Sequence, residues 1–143
     1  MTKFKFELQD VLDLRNYEKE AAENELSKAL DVEAQINNEL EYIASEYVRV
    51  KQLMKGSRDI DDIICQNNFF KFLDSKKEDA LGRLAEAKII TDQKRVVLME
   101  CMKKTTALEK LKEKQTADFK ADEDYRESEF IDDLATSRYK LSK

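Results

Sequence analysis

The chain contains no proline, no histidine and no tryptophan, and it has only two glycines and two cysteines in 143 residues. Without proline, nothing in the sequence forces a helix to break, since proline in a helix interior costs about 3 kcal/mol. Without histidine, no side chain has an unperturbed pKa suited to proton transfer near neutral pH. A glycine-rich phosphate loop and a nucleophile elbow are also missing. The sequence therefore predicts long helices and no enzyme, with no catalytic residue and no cofactor.

Charge and hydropathy argue against nucleic-acid and membrane-spanning roles. The chain carries 26 basic and 31 acidic residues, a formal net charge of −5, whereas nucleic-acid binding depends on neutralising phosphates. No apolar stretch approaches the ~20 residues that a membrane-spanning helix requires. No apolar run follows the basic amino-terminus, as a secretory signal would need. We expect no nucleic-acid partner and a cytoplasmic location.

The two cysteines lie far apart on one predicted helix. Cys65 and Cys101 are 36 residues apart, which corresponds to roughly 54 Å at 1.5 Å per residue. That separation excludes a disulfide between them. Two isolated thiols without histidine also make a poor zinc site. We predict reduced thiols and no metal.

One break divides the helix-forming sequence. Gly56 lies in the cluster Lys55 to Asp59, where it can take the left-handed conformation that ends a helix. Asp59 is a suitable N-cap for the helix that follows, and Ser57 could cap it instead. The predicted fold is all-α: a single domain, residues 1–143, forming an antiparallel two-helix coiled-coil hairpin with a longer second helix. The expected bounds are helix 1 about 5–55, a turn about 56–60 and helix 2 about 61–140.

Apolar residues on the first arm follow a heptad repeat, in which one stripe of a helix packs against a partner. Toward the amino-terminus the stripe is interrupted by Arg15, Lys19 and Glu33. The alternating Phe4 to Leu8 segment is interpreted as the fraying start of the helix. The stripe consists of Leu8, Leu12, Ala22, Leu26, Ala29, Ile36, Leu40, Ile43, Tyr47, Val50 and Met54.

The second arm gives a less regular stripe, and its irregular steps predict stutters in the supercoil. If the arms pair residue for residue from the turn, pairing ends near residue 106. Residues 103–114 then hold five lysines against two glutamates, net +3, and residues 118–133 hold eight acids against two bases, net −6. The predicted stripe is Ile63, Phe70, Leu73, Ala80, Leu84, Ala87, Ile90, Val97, Cys101, Leu108 and Leu111.

Two motifs in order carry a family resemblance. The first is Phe4-x-Phe6-x-Leu8-x-x-Val11-Leu12-x-Leu14-Arg15-x-x-Glu18, followed by Ala21-Ala22. The second is the run from Leu108 to Gln115, followed by Phe119 and Glu129-x-Ile131-Asp132-Asp133. Together they resemble FliJ, the small coiled-coil component of the flagellar type III export apparatus, from end to end of the chain.

The resemblance implies a function that the periodicity alone does not. FliJ-like proteins are antiparallel helical hairpins similar to the central stalk of rotary ATPases. They bind the export ATPase ring, contact the cytoplasmic domain of the export gate membrane protein and escort export chaperones. By resemblance, the chain is peripheral at the inner face of the cell membrane and mainly a monomer when alone.

The resemblance also implies two sets of partner-binding residues. The gate contact is expected near the hairpin tip, and the ATPase contact at the end where both termini lie. An exposed aromatic cluster is a candidate contact in its own right. The gate set is Leu40, Ile43, Tyr47, Phe69, Phe72 and Leu73, with Glu46 beside it. The ATPase set is Phe4, Phe6, Leu8, Lys110, Lys112, Lys114 and Phe119.

Three alternatives stay open at this point. The chain could be the stalk of a virulence-type secretion system, which shares the architecture. It could be a purely structural coiled coil that self-associates through leftover apolar faces. It could also be a cargo chaperone with no link to an ATPase.

Overall fold

The computed structural model describes residues 3–141, and over that range the chain is all-helical with no strand. Helix α1 spans Gln9–Leu53 and helix α2 spans Ile60–Leu141. The two helices pack against each other as an antiparallel hairpin, which confirms the predicted fold class. Helix α1 begins four residues later than the sequence suggested.

The turn is built from the residues that predicted it. Gly56 has φ 85°, a conformation that side-chain-bearing residues rarely adopt. The backbone N–H of Asp61 donates to the Asp59 carboxylate at 3.1 Å, so Asp59 caps α2 as predicted. Ser57 donates its hydroxyl to the Asp62 carboxylate at 2.9 Å, which further fixes the entry into α2.

The chain divides into two compact units, which are described separately. The hairpin unit comprises residues 20–99, and the terminal unit comprises residues 3–19 together with residues 100–141. In the hairpin unit, α1 buries one residue in every seven, which confirms the heptad on the first arm. These buried residues are Ala22, Ala29, Ile36, Ile43 and Val50.

The second arm corrects the predicted stripe. Ile63, Ile90 and Val97 are 43%, 49% and 49% exposed, so they lie outside the interface with α1. From Ala80 to Leu98, buried and half-buried positions instead follow alternating steps of four and three residues, and no stutter is needed there. The buried and half-buried residues of α2 in the hairpin unit are Asp62, Gln66, Phe69, Phe70, Leu73, Ala80, Leu84, Ala87, Thr91, Lys94 and Leu98.

In the terminal unit, the residues before α1 do not fray. Phe6 is only 5% exposed, and the Phe4 ring lies 5.5 Å from the Phe119 ring. Lys112 donates to the Gln9 side chain at 2.7 Å. Pairing along α2 therefore reaches Phe119 and not residue 106, because Thr105 lies opposite Arg15, Lys112 lies opposite Gln9, and the segment before Gln9 adds its own contacts.

Candidate partner-binding surfaces

Two of the six residues predicted to contact the gate lie in the interface between the helices. Ile43 is 5% exposed and Leu73 is 4% exposed. Leu40 is half-buried and packs against the cluster formed by Ile36, Ala80 and Ala87. Burial of these side chains stabilises the packing of α1 against α2. Their first role is therefore to hold the two arms together, and little of their surface is available to a partner.

Tyr47 is also engaged with the opposite arm. Its ring stacks on Phe70 with centroids 4.2 Å apart and planes inclined by 5°. Tyr47 is half-buried, so one edge of the ring stays accessible while the face contributes to packing. Sequence reasoning placed Phe70 in the interface but did not pair it with Tyr47.

Phe72 is the most exposed residue of the predicted gate set. Its side chain is 53% exposed, the Phe69 ring lies 6.3 Å away, and the Lys76 ammonium lies 5.2 Å from its ring centroid. We call Phe69, Phe72 and Lys76 the tip surface. Phe69 is half-buried, so the tip surface presents one exposed phenylalanine beside a cation, which can bind apolar and acidic groups together.

The predicted gate residues fall on two sides of the interface between the arms. On one side, a groove of about 510 Å³ is lined by Leu40, Ile43, Ala44, Tyr47, Asp74, Lys77 and Leu81. On the other side, a groove of about 380 Å³ is lined by Glu39, Phe72, Ser75, Lys76 and Asp79. Leu40 and Tyr47 therefore open onto one groove, and Phe72 opens onto the other.

Ion pairs lie along both arms near these grooves. Arg49 binds Glu46 at 2.7 Å, and this hydrogen bond lowers the pKa of the Glu46 carboxyl and raises that of Arg49. Arg83 links the arms through Glu39 at 2.7 Å and also binds Asp79 at 3.1 Å. The hydrogen bonds that Arg83 donates to the Glu39 and Asp79 carboxylates raise the pKa of its guanidinium. Such exposed pairs contribute little stability, but they fix the positions of the charged side chains beside the grooves.

The interface between the arms includes polar residues that sequence reasoning missed. Thr91 is 2% exposed and its hydroxyl lies 2.5 Å from the Glu33 carboxylate, to which it donates. In the terminal unit, Thr105 is 2% exposed and donates to the Arg15 carbonyl oxygen at 3.3 Å. Continuing the alternating steps of four and three residues from Ala87 would have found both threonines.

The predicted ATPase residues are partly brought together in the terminal unit. Phe4 meets Phe119, while Phe6 is buried and Leu8 is 39% exposed. Lys112 is half-buried through its bond to Gln9, whereas Lys110 and Lys114 are exposed. The terminal unit therefore carries both an aromatic contact and exposed lysines.

Beyond Phe119, α2 continues to Leu141 with most of its side chains exposed. Phe130, Ile131 and Leu134 are 63%, 58% and 50% exposed, and they lie at positions that share one helix face. We call residues 120–141 the tail. Apolar residues on an exposed acidic helix are typical of a segment that packs on a partner.

The described residues also bear on the predictions for the cysteines, for metal binding and for membrane-spanning helices. Cys65 is exposed and Cys101 is half-buried, and both are free thiols. Among the described residues, no group of three side chains could hold a metal ion. Over residues 3–141, no helix is long and apolar enough to cross a membrane.

These observations define a helical-hairpin protein whose candidate sites are exposed partner-binding surfaces. A family model described as "Flagellar FliJ protein" matches residues 4–143. The chain belongs to the FliJ family, and it is a coiled-coil protein of flagellar export. Comparison with curated proteins and with solved structures gives no match.

Proposed function

We propose that this chain is the stalk that links the export ATPase ring to the cytoplasmic domain of the export gate membrane protein. In this role it is a binding component and not an enzyme, it escorts export chaperones, and it is mainly a monomer when alone. It acts in the cytoplasm and reaches the inner face of the cell membrane through its partners. The family match favours the flagellar system over a virulence-type one.

The observation that carries the gate contact is the exposure of Phe72. Phe72 is 53% exposed and lies beside Phe69 and Lys76. A partner that covers it removes apolar surface from contact with water, which favours binding. Ile43 and Leu73 are buried, so in this proposal they hold the arms in position while the tip surface makes the contact. Leu40 and Tyr47 contribute their accessible edges from the other groove.

The ATPase contact is supported by the terminal unit. Phe4 and Phe119 form an aromatic pair, and Lys110 and Lys114 are exposed nearby on α2. Phe6 supports this arrangement from a buried position, Leu8 adds a partly exposed apolar side chain, and the tail adds acidic and apolar groups. A contact that mixes apolar and ionic groups weakens with salt, because exposed charges are screened over about 8 Å at physiological ionic strength.

Binding measurements with the two purified partners test the proposal. The full chain is titrated with the gate cytoplasmic domain and, separately, with the export ATPase. Phe72→Ala should weaken gate binding and leave ATPase binding unchanged. Ile64→Ala is the matched control, since Ile64 is 51% exposed on the same helix but lies outside the tip surface. Equal losses in the two variants would reject the assigned gate contact.

A further inference from the structure

We propose that the outward face of α2 in the hairpin unit is a docking surface for an amphipathic helix of a different protein, one with a basic residue in the middle of its apolar stripe. The outward face consists of Ala85, Ile89, Asp92, Val96 and Met99. It uses none of the residues assigned to the gate or ATPase contacts, so it stands independently of the proposed function.

The position of these residues follows from the buried ones. Ala87 and Thr91 are 6% and 2% exposed because they face α1. Ile89 lies two residues from each, about 200° around a helix, and so it points away from α1. Ile89, Val96 and Met99 are 59%, 57% and 58% exposed, which leaves three large apolar side chains on a surface that α1 does not cover.

The spacing of the outward face is that of a second coiled-coil stripe. Its five residues are separated by four, three, four and three positions, the repeat by which one helix packs along another. A helix that is apolar on two opposite faces is suited to packing between two neighbours. Helix α1 covers one face, and no described residue covers the other.

Charges beside the stripe restrict which helix can bind. Lys88 and Arg95 flank it on one side, Glu86 flanks it on the other, and Asp92 lies within it. None of these four side chains has an ion pair among the described residues. An incoming helix therefore meets charges that are still available for pairing.

A second copy of the chain is a poor occupant of this face. Parallel pairing would place Asp92 against Asp92 of the second copy. Antiparallel pairing would place the flank with Lys88 and Arg95 against the same flank of the second copy. Like charges brought together in an interface disfavour that pairing. A helix with a cation opposite Asp92, acids opposite Lys88 and Arg95, and a base opposite Glu86 satisfies every charge.

A designed peptide tests the inference on the full chain. The probe is a labelled helix of about 28 residues, long enough to form on its own, with a leucine stripe, the charge pattern given above and a central arginine. A matched peptide carries glutamate in place of that arginine. In fluorescence anisotropy titrations, the arginine peptide should bind about tenfold more tightly than the glutamate peptide, and Asp92→Lys should reverse the preference.

Variants of the chain distinguish specific binding of the peptide at the outward face from non-specific binding elsewhere on the chain. Ile89→Gln combined with Val96→Gln should abolish binding of the arginine peptide, whereas Ile64→Gln should leave it unchanged. Circular dichroism of each variant checks that helicity is retained. Absence of binding by the arginine peptide, equal binding of the two peptides, or an equal effect of Ile64→Gln would overturn the inference. A dimer in sedimentation runs that Ile89→Gln dissociates would also overturn it, because the occupant would then be a second copy.

Discussion

The rings of Tyr47 and Phe70 stack across the two arms with centroids 4.2 Å apart and planes inclined by 5°. Aromatic pairs of this kind contribute about 0.5–1.5 kcal/mol beyond the area they bury. Removal of Tyr47 therefore changes packing as well as any partner contact. Phe72 is exposed, and it gives a cleaner test of partner binding.

Phe72→Ala and Leu73→Ala should differ sharply in their effect on stability. Phe72 is 53% exposed and contacts the Phe69 ring and the Lys76 ammonium. Its truncation should therefore lower the free energy of unfolding by at most about 1 kcal/mol. Leu73 is 4% exposed, and its truncation should cost about 2–5 kcal/mol. Urea denaturation followed by circular dichroism measures both. Similar losses for the two variants would mean that Phe72 packs the hairpin.

The hydrogen bond between Thr91 and Glu33 should be replaceable by apolar packing. Thr91→Val alone leaves the half-buried Glu33 carboxylate without its partner and should cost about 1–3 kcal/mol. Thr91→Val combined with Glu33→Leu should recover that loss or exceed the wild-type stability, since apolar pairs often replace buried polar ones at no cost. A double-mutant cycle in urea measures the coupling. A double variant less stable than Thr91→Val would contradict this account.

The carboxyl of Glu46 should titrate below its usual pKa of 4.5 because Arg49 donates hydrogen bonds to its ionised form. Its folded-state pKa lies below the unfolded value, so the pair's contribution is present above the unfolded pKa and is lost as pH falls through the folded pKa. NMR titration of Glu46 measures the midpoint. Arg49→Gln should raise it, and an unchanged midpoint would show that the pair is not populated in solution.

The hairpin itself could be read from the sequence because its signals are local. Gly56 and Asp59 specify the turn, and Ile36, Ile43 and Val50 place α1 against a neighbour at seven-residue intervals. Each of these positions depends on backbone conformation or on helix periodicity. Such local features depend little on the rest of the fold, so the turn and the buried positions of α1 occur in the structure where the sequence predicts them.

The second arm and the amino-terminus were less predictable because composition was a misleading guide there. Ile90 and Val97 are apolar yet exposed, while Thr91 and Thr105 are polar yet buried. Position in the repeat decides which residues face α1, and a threonine hydroxyl can be buried once it donates a hydrogen bond. Phe6 precedes α1, so the helical repeat did not predict that its side chain would be only 5% exposed.

Two truncations should separate the tail from the aromatic pair at its start. A chain ending at Lys120 keeps the contact between Phe4 and Phe119, whereas a chain ending at Gln115 loses it. Both should bind the export ATPase more weakly than the full chain, and the shorter one most weakly. Gate binding should be unchanged in both.

Salt titration of the full chain and the two truncated chains measures the ionic part of the ATPase contact. Binding by the full chain should weaken as salt rises, because the exposed charges are screened over about 8 Å at physiological ionic strength. If the chain ending at Gln115 keeps the full chain's affinity and salt dependence, the terminal unit does not contribute the ATPase contact.

A bridging measurement tests the stalk proposal most directly. The export ATPase is immobilised, the gate cytoplasmic domain is supplied in solution, and capture of the gate domain is recorded with and without the full chain. We predict capture only when the chain is present, with loss of capture in Phe72→Ala and in the chain ending at Gln115, although each variant still binds one partner. If the full chain binds each partner separately but never brings the gate domain to the ATPase, the stalk function is contradicted.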